Sequence, residues 1–276
     1  MPQLVSTILE LRRTLAALRP ARIGMVPTMG ALHAGHVSLV TETRKHAGHV
    51  VVSIFVNPTQ FAPHEDFDAY PRTLEADLAK LGDSADIVFA PSAREMYPQG
   101  HTTSITVGGP ASGLETDFRP HFFAGVATVV AKLLIAASPD VAVFGEKDYQ
   151  QLLVVRHLAR DLALPVQILG APTLREPDGL AMSSRNVYLS PEERQIAGRL
   201  NLILKDTIAL AHRGDLRAAE AAGIEALWKA GFSHVDYVAI RDADTLENIT
   251  GLERPARILA AAKIGKTRLI DNMPSN

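Results

Sequence analysis

Two short apolar runs constrain the fold of this chain more than any other feature. They are HVVVSIFV at 49–56 and DVAVF at 140–144. A nearly continuous apolar run of this length is typical of a strand that is buried on both faces. Because segments of helix length alternate with such strands, we expect βαβ units and an α/β fold with a Rossmann-like, doubly wound parallel sheet.

The order of helix and strand signals changes near Gly170, and this change predicts two domains. Before it, strands and helices alternate, whereas two helices and then three strands follow it. We therefore expect a Rossmann-like domain at 1–171 and a smaller α+β domain at 172–276. The other predicted strands are 23–26, 86–90, 103–107, 165–169, 234–241, 256–264 and 267–270. The predicted helices are 1–18, 35–46, 71–81, 122–137, 149–162, 191–212 and 215–230.

Composition excludes several classes of protein. The formal net charge is −2, so there is no basic excess to hold a nucleic-acid backbone. The 276 residues include no cysteine, which excludes disulfides, thiolate metal sites and a thiol nucleophile. Charges interrupt the N-terminal segment, unlike a secretory signal, and no stretch approaches the ~20 apolar residues of a spanning helix. We expect a cytoplasmic protein of small-molecule substrates, without nucleic-acid or membrane partners.

The stretch MVPTMGALHAGH at 25–36 is the first candidate site. His33 and His36 lie between a predicted strand and a predicted helix, with Gly35 between them. Glycine allows close backbone approach, and a helix N-terminus offers free N–H groups and partial positive charge. A pair of helix-entry histidines is commonplace, but the strand–turn–helix context favours a site for ATP phosphates. A metal pair is less favoured because no further ligand stands at suitable spacing.

Two later segments carry groups that suit phosphate. Lys147 lies in the turn GEKD at 145–148, after a buried strand and therefore at the edge of the sheet where ligands collect. The segment MSSR at 182–185 combines two hydroxyls with a guanidinium, whose fork matches phosphate oxygens. Taken alone, the lysine equally fits a solvated surface charge, and the MSSR segment fits a linker better than a site.

Three neutral amides form a further candidate set. Asn57 and Gln60 follow the end of a predicted strand, and Gln151 lies one turn into the helix after Lys147. Neutral amides bind hydroxyls or a carboxylate without the cost of burying a charge. Surface or capping roles fit each of them as well as substrate binding does.

The absence of three known motifs excludes or disfavours three classes of protein. The sequence has no GxxxxGK[ST], so it is not a P-loop protein, and no GxGxxG follows the first strand, which disfavours a dinucleotide oxidoreductase. No G-x-S-x-G elbow accompanies the histidines, so a serine hydrolase is not indicated.

Several blocks together resemble one family. PTMGALHAGH, SIFVNPTQF, YPRTLEADL, FGEKDYQQL, DGLAMSSRNVYLS, IRDADTL and RLIDN stand in the order and spacing of the AMP-forming pantoate–β-alanine ligases, members of the HxGH nucleotidyltransferase superfamily. The resemblance covers almost the full chain. It implies that ATP activates pantoate as pantoyl adenylate with release of pyrophosphate, and that β-alanine then displaces AMP to give pantothenate, a coenzyme A precursor. It also implies ATP and pantoate sites on the first domain. Because an acyl adenylate hydrolyses readily, the site must exclude water, and the 108–123 loop and the second domain are candidate lids.

The resemblance assigns roles by position. His36 is the implied proton donor, Lys147 reaches the phosphates, and Gln60 and Gln151 bind pantoate, with Gln60 also meeting β-alanine. The implied catalytic residues are His33, His36, Lys147, Ser183, Ser184 and Arg185. The implied ATP contacts are Met29, Gly30, Ala31, Leu32, His33, Ala34, Gly35, His36, Gly145, Glu146, Lys147, Asp148, Leu174, Met182, Ser183, Ser184 and Arg185. The expected pantoate and β-alanine contacts are Gln60, Gln151, Asn57 and Met29.

The resemblance further implies Mg²⁺ with the ATP and a homodimer formed through the N-terminal domain. Asp77 is a candidate Mg²⁺ ligand, although the acidic cluster after YPRT is thinner here than in the family. A second departure follows Arg119-Pro120. Where the family commonly has RPGHFxGV, Phe122 occupies the histidine position and His121 precedes it. The role of that family histidine therefore cannot be transferred.

Two alternative functions remain at this point. A simple adenylyltransferase would leave AMP on a phosphate ester, and the neutral Gln60 and Gln151 disfavour the basic acceptor pocket that it needs. A nucleotide-binding regulatory protein with a decayed site would bind ATP without turnover. The presence of both histidines, Lys147 and the 182–185 segment disfavours that interpretation. Product analysis separates these possibilities from the ligase.

Overall fold

The structure is a computed structural model that describes residues 1–62 and 67–276. Its strands are β1 Gln3–Val5, β2 Ile23–Thr28, β3 His49–Ile54, β4 Ile87–Phe89, β5 Val141–Gly145, β6 Gln167–Ala171, β7 His234–Asp242, β8 Ala256–Ile264 and β9 Thr267–Pro274. Its helices are α1 Ile8–Leu18, α2 Ala34–Arg44, α3 Leu74–Leu81, α4 Ala93–Met96, α5 Glu115–Phe118, α6 Phe122–Ala137, α7 Tyr149–Asp161, α8 Pro191–Ala197, α9 Arg199–Ala211 and α10 Leu216–Ala230.

The first six strands form one parallel sheet in the order β1-β4-β3-β2-β5-β6. Helices cover both of its faces. One face packs on α1, α6 and α7, and the other packs on α2 and α3. Alternate residues of a strand serve opposite faces, so Met25 lies in the first core and Val26 in the second. The predicted doubly wound parallel sheet is confirmed.

The last three strands form a separate antiparallel sheet in the order β7-β8-β9. Its own core includes Leu200 and Leu204 of α9, Leu227 of α10 and Ile258 of β8. This agrees with the predicted smaller α+β part. Among the described helices, none combines the length and the apolar character needed to cross a membrane.

Three sequence-based element predictions were wrong. Residues 1–18 are not one helix, because β1 pairs with β4 and a capping box of Thr7 and Glu10 starts α1 only at Ile8. Residues 103–107 form no strand, and the backbone N–H of Ile105 donates to Oγ1 of Thr128 on α6 at 2.9 Å. The predicted helix at 191–212 is divided at Gly198 into α8 and α9.

Candidate active site

A cleft of about 1250 Å³ opens at the carboxyl ends of the central strands. β2 and β5 are neighbours in the sheet, and the chain continues from them toward opposite edges, so a crevice forms between the loops that follow them. The second sheet closes the other side of the crevice with residues 259–260 and 267–272. Both parts of the molecule therefore line the cleft.

His33 and His36 cap the N-terminus of α2 with their own rings. The backbone N–H of Gly35 donates to Nδ1 of His33 at 3.1 Å, and that of His33 donates to Nδ1 of His36 at 3.3 Å. This is a capping box in which histidines replace the usual hydroxyl and carboxylate side chains. Because each Nδ1 accepts a hydrogen bond, the proton of each neutral ring lies on Nε2. Each histidine therefore retains an Nε2–H donor beside the cleft that both rings line.

Both rings are uncharged at neutral pH. Burial, followed by the charges of Lys147 and Lys80, lowers the pKa of His33 to about 4, while Asp148 opposes the shift. Burial, followed by His33 and the same two lysines, lowers the pKa of His36 to about 3. The ring centroids lie 4.1 Å apart. Two neutral donors beside lysine charges make a site that suits an anion.

The lack of a side chain at Gly35 permits this arrangement. A Cβ atom there would lie 2.8 Å from Cε1 and 2.9 Å from Nδ1 of His33, too close for a real contact, and 3.6 Å from Cβ of Met182. The glycine therefore lets the His33 ring fold back over the helix start. The 182–185 segment lies next to the same position, with Cβ of Met182 at ordinary contact distance.

The turn before α2 depends on strained backbone and a buried carboxylate. Gly30 and Ala31 have φ angles of +82° and +51°. Asp77, only 1% exposed, accepts the backbone N–H of Ala31 at 3.0 Å and that of Leu32 at 2.7 Å. Lys80 donates to the carbonyl oxygen of Leu32. Helix α3 thus holds the turn through hydrogen bonds from two of its side chains to the backbone of the turn.

This geometry argues against Asp77 as a magnesium ligand. Both of its oxygens accept backbone N–H groups, and the side chain does not line the cleft. Across residues 1–62 and 67–276, no group of three or more His, Cys, Asp or Glu side chains is arranged to hold a metal ion. A magnesium ion in this cleft would depend on nucleotide phosphates and water for most of its ligands.

Lys147 lies in the turn that follows β5. Its side chain lines the cleft and is 21% exposed, with Nζ 3.7 Å from Oδ2 of Asp148. No side chain caps this segment at Gly145 or at Asp148. Asn272 of β9 instead donates to two of its backbone carbonyls. The second sheet therefore supports the lysine turn directly.

The 182–185 segment is tied to both parts of the molecule. Arg175, at the base of the hairpin that leads into it, donates to both oxygens of Asp271 at 2.7 and 2.9 Å. Ser184 shares a hydrogen bond of 3.2 Å with the hydroxyl of Tyr70. The guanidinium of Arg185 lies 5.9 Å from the centre of the Tyr70 ring. The segment thus spans the cleft between the two sheets.

Gln60 lines the cleft, but Asn57 does not. Asn57 is 1% exposed, and its Nδ2 donates to Oε1 of Gln60 at 2.9 Å and to the carbonyl of Gly125 at 3.2 Å. Its Oδ1 accepts the hydroxyl of Tyr97 at 2.8 Å. The predicted substrate contact of Asn57 is thus not supported, because its polar atoms are already engaged. Asn57 instead orients the amide of Gln60.

One wall of the cleft is apolar and belongs to α6. Phe122 begins it, and the guanidinium of Arg119 lies 3.9 Å above that ring, a cation–π contact. Arg119 also donates to the carbonyl of Gln60 at 3.1 Å. His121 is exposed and does not line the cleft. At position 122, where the family motif has histidine, this chain therefore places an aromatic ring in the wall of the cleft.

Buried charges join helix α5 to the second sheet at the cleft. Both oxygens of Glu115 accept from Arg268, at 2.7 and 2.8 Å, and Tyr237 donates to the same carboxylate at 2.8 Å. Nε of Arg268 donates to Asp236 at 2.6 Å. Burial and then the Glu115 charge raise the pKa of Tyr237 well above its usual value. The network connects α5 to β7 and β9.

Most of the predicted site residues meet in this cleft. Those that line it are Met29, His33, Gly35, His36, Gln60, Gly145, Lys147, Asp148, Gln151, Leu174, Met182, Ser183, Ser184 and Arg185. Gly30, Ala31, Leu32, Ala34, Asn57, Asp77 and Glu146 do not line it. Sequence reasoning missed the α6 wall and the contribution of β9. The RLIDN block marked β9, but its spacing does not reveal what its side chains contact.

Comparison with known proteins gives a consistent result. The family model for pantoate-β-alanine ligase matches residues 3–274. The pantothenate synthetase of Rhodopseudomonas palustris (strain HaA2) is 54% identical over 278 residues, covering 99% of this chain and 98% of the relative. The pantothenate synthetase of Mesorhizobium japonicum is 55% identical over 276 residues, covering 99% and 97%.

Solved structures agree with these relatives. A crystal structure of pantothenate synthetase from Thermus thermophilus has a TM-score of 0.93 at 47% identity, covering 99% of both chains. A pantoate-β-alanine ligase from Francisella tularensis, complexed with β-γ ATP and β-alanine, has a TM-score of 0.85 at 34% identity, covering 100% of this chain and 98% of that one.

Proposed function

The chain belongs to the pantoate–β-alanine ligase family, and we propose that its cleft carries out both steps of the ligase reaction. In the first step the carboxylate of pantoate attacks the α-phosphorus of ATP, which gives pantoyl adenylate and pyrophosphate. In the second step the amine of β-alanine attacks the acyl carbon and displaces AMP, which gives pantothenate. The enzyme is thus an AMP-forming acid–amino-acid ligase.

One observation carries the assignment of this chemistry to the cleft. His33 and His36, Lys147 and the 182–185 segment come from three distant parts of the chain, and all of them line the same cavity. Neutral Nε2–H donors, an ammonium group, hydroxyls and a guanidinium are the groups that stabilise charge on a phosphate as it reacts. No metal ligand set is required to explain their convergence.

We propose the following roles for the side chains. His33 and His36 donate from Nε2 to ATP phosphate oxygens, and Lys147 neutralises charge on the same group. Arg185 and the hydroxyls of Ser183 and Ser184 close over the triphosphate. Because both rings are uncharged at neutral pH, each keeps a single directed Nε2–H donor rather than a charge.

Pantoate fits the opposite part of the cleft. Asn57 holds the carbonyl oxygen of Gln60, so the –NH₂ of that amide is the end that can donate to a carboxylate or hydroxyl. Gln151 supplies a second amide from α7. The apolar wall of α6, which includes Phe122 and Val129, suits the two methyl groups of pantoate.

We also propose a domain boundary, a metal ion, a cellular location and an oligomeric state. We place the domain boundary after residue 171, so that residues 172–276 act as a lid that excludes water from the adenylate. Mg²⁺ bound with ATP would be held mainly by phosphate oxygens, and it would supply positive charge that stabilises the pyrophosphate leaving group. The protein acts in the cytoplasm, where its substrate ATP is available, and it is a homodimer, as the family resemblance implies.

Isotope exchange tests the first step directly. Pantoate should stimulate exchange of labelled pyrophosphate into ATP, and adding β-alanine should yield pantothenate with AMP, not ADP. His36→Ala should slow exchange roughly a hundredfold, as expected when one transition-state donor is lost. A folded protein that shows no pantoate-dependent exchange would rule the proposal out. Product in which AMP remains on the acceptor would indicate an adenylyltransferase.

A further inference from the structure

The side chain of Asn272, near the end of β9, forms hydrogen bonds with the backbone of the turn that carries Lys147. Its two amide hydrogens are donated to the backbone carbonyls of Glu146 at 2.9 Å and Lys147 at 2.8 Å. Asn272 is only 3% exposed, so water does not compete strongly for these bonds. The two carbonyls belong to consecutive residues of one short 3₁₀ turn, Glu146–Asp148.

The amide of Asn272 is itself held in one orientation. Its Oδ1 accepts from Nε of Arg257 on β8 at 2.6 Å. Another nitrogen of Arg257 donates to the carboxylate of Glu146 at 3.1 Å, and the guanidinium lies 3.7 Å over the ring of Tyr149. Because the oxygen faces Arg257, the –NH₂ must face the turn. Four contacts from the second sheet therefore converge on residues 146–149: two from Asn272 and two from Arg257.

The ends of this turn lack side-chain caps. No side chain caps it at Gly145, and none caps the following helix at Asp148. A lysine reaches its ligand with useful accuracy only if its backbone is fixed, because a displacement of ~1 Å at a reacting group can cost about a hundredfold in rate. Support from Asn272 is thus placed where the lysine needs it.

We propose that Asn272 is a positioning residue that fixes the Lys147 turn for contact with the ATP phosphates. This inference rests on the proposed function, since it assumes that Lys147 binds those phosphates. It gives the second sheet a role beyond covering the cleft, because β9 supplies part of the scaffold of the nucleotide site. Asn272 itself makes no contact with substrate in this role.

Two substitutions isolate the role. Asn272→Ala removes both donors, and Asn272→Asp keeps the volume and the acceptor for Arg257 while replacing the donor group with oxygen. Asn272→Asp carries the test if Asn272→Ala yields too little folded protein. Asn248→Ala and Asn248→Asp, at an exposed asparagine in the same part of the chain, are matched controls. Thermal unfolding of each variant verifies that comparisons are made on folded protein.

We expect Asn272→Ala to lower the pantoate-dependent exchange rate by roughly 10- to 100-fold, the range typical of a lost supporting contact. The KM for pantoate should change by less than about threefold, because Gln60 and Gln151 are untouched. Affinity for the β,γ-methylene analogue of ATP, measured by calorimetry, should fall in parallel with the exchange rate. An unchanged rate and affinity would overturn the inference.

A double-mutant cycle then asks whether Asn272 acts through Lys147. In a Lys147→Ala background, Asn272→Ala should weaken analogue binding by less than about twofold further, because the group it positions is already absent. An equal loss in both backgrounds would overturn the inference, since it would mean that Asn272 acts independently of the lysine. Wild-type exchange with pantoate reports on the proposed function separately, so the two ideas can fail independently.

Discussion

At the scale of single residues, His33 and His36 use backbone N–H groups to fix their own protons. A helix N-terminus leaves several N–H groups without partners, and the two Nδ1 atoms accept two of them. The remaining proton on each ring is thereby directed away from the helix. The same contacts that start α2 also prepare two donors for a phosphate, so capping and ligand binding depend on the same ring orientation.

Gly35→Ala should disturb this orientation without removing a functional side chain. The added methyl would lie 2.8 Å from Cε1 of His33, so the ring must turn and lose its bond from the Gly35 N–H. We expect pantoate-dependent exchange to fall roughly 10- to 100-fold, while the thermal midpoint changes by only a few degrees because alanine is a better helix former.

Gly214→Ala is the matched control, since a Cβ there would meet nothing within 4 Å. It should leave exchange unchanged. Equal exchange rates for Gly35→Ala and the wild type would show that His33 tolerates a different ring position. The hydrogen bond from the Gly35 N–H to Nδ1 of His33 would then not be needed for exchange.

Residue type and spacing predict that His33 and Lys147 lie at one site, and both line the cleft. The same criteria do not show how Asn57 and Asp77 are engaged. All four are polar and lie after predicted strands or in a marked block. The sequence predicts that Asn57 and Asp77 contact ligands. In the structure, their polar atoms already form hydrogen bonds with other groups of the protein. A linear sequence gives the position of a side chain along the chain but not its direction, and it therefore cannot show whether a partner has already engaged it.

At the scale of elements, α6 and the 58–60 turn meet with almost no space between their backbones. A Cβ at Gly125 would lie 2.3 Å from the carbonyl oxygen of Thr59 and 2.7 Å from its carbonyl carbon. These are backbone atoms, which cannot move aside as a flexible side chain can. The position of Gln60 in the cleft therefore depends on the absence of a side chain in the first turn of α6.

Gly125→Ala should push the turn away from α6 and displace Gln60. We expect the KM for pantoate to rise about tenfold and the free energy of unfolding to fall by about 1–3 kcal/mol, the usual cost of overpacking. The KM for ATP serves as an internal control and should stay nearly constant. A rise confined to the KM for ATP would contradict the placement of pantoate beside Gln60.

Long elements were predictable and short ones were not. The helix at Phe122–Ala137 and the strand at His49–Ile54 are long enough for apolar pattern to identify them. β1 has only three residues, too few for a sequence pattern to identify it. Its pairing with β4 stabilises it as a strand. Residues 103–107 have strand-like composition, but Thr128 takes the N–H that a ladder would need. In both cases a contact with a distant part of the chain, and not the local sequence, determines the structure.

At the scale of the whole molecule, the neutral histidines link stability to pH. Their folded pKa values are about 4 and about 3, below the ordinary 6.5. Between pH 6.5 and 4 the unfolded chain binds protons that the folded chain does not. The free energy of unfolding therefore falls as the pH is lowered through this window, and the contribution is fully present above it.

His36→Gln tests this linkage because glutamine can accept the same capping bond. Urea unfolding at pH 7, 6 and 5 should give a shallower dependence than in the wild type. The difference should approach about 1.4 kcal/mol per pH unit below pH 6, the value for one proton. Parallel curves for the two proteins would mean that His36 is as easily protonated in the folded state as in the unfolded chain.

The Glu115–Arg268 pair should hold α5 to the second sheet. Removing Arg268 should cost more free energy of unfolding than removing the charge of Glu115. The side chains of Glu115 and Asp236 are 8% and 3% exposed. Among the described residues, Arg268→Leu would leave these buried carboxylates with only Arg119, 3.9 Å from Glu115, and His234, 3.2 Å from Asp236, as ion-pair partners. Removing one partner of a buried pair costs about 3–5 kcal/mol. Glu115→Gln should cost less, because an amide still accepts from Tyr237 and Arg268 retains Asp236.

Lowering the pH distinguishes this cause from a simple loss of packing. A buried carboxylate that loses a cationic partner takes up a proton more readily in the folded state. The deficit in the free energy of unfolding of Arg268→Leu relative to the wild type should therefore shrink from pH 7 to pH 5. The histidine contribution is common to both proteins and cancels in this difference. Urea unfolding at the two pH values measures it. A deficit independent of pH would assign the loss to packing, and the charged network would then not be what holds α5 to the second sheet.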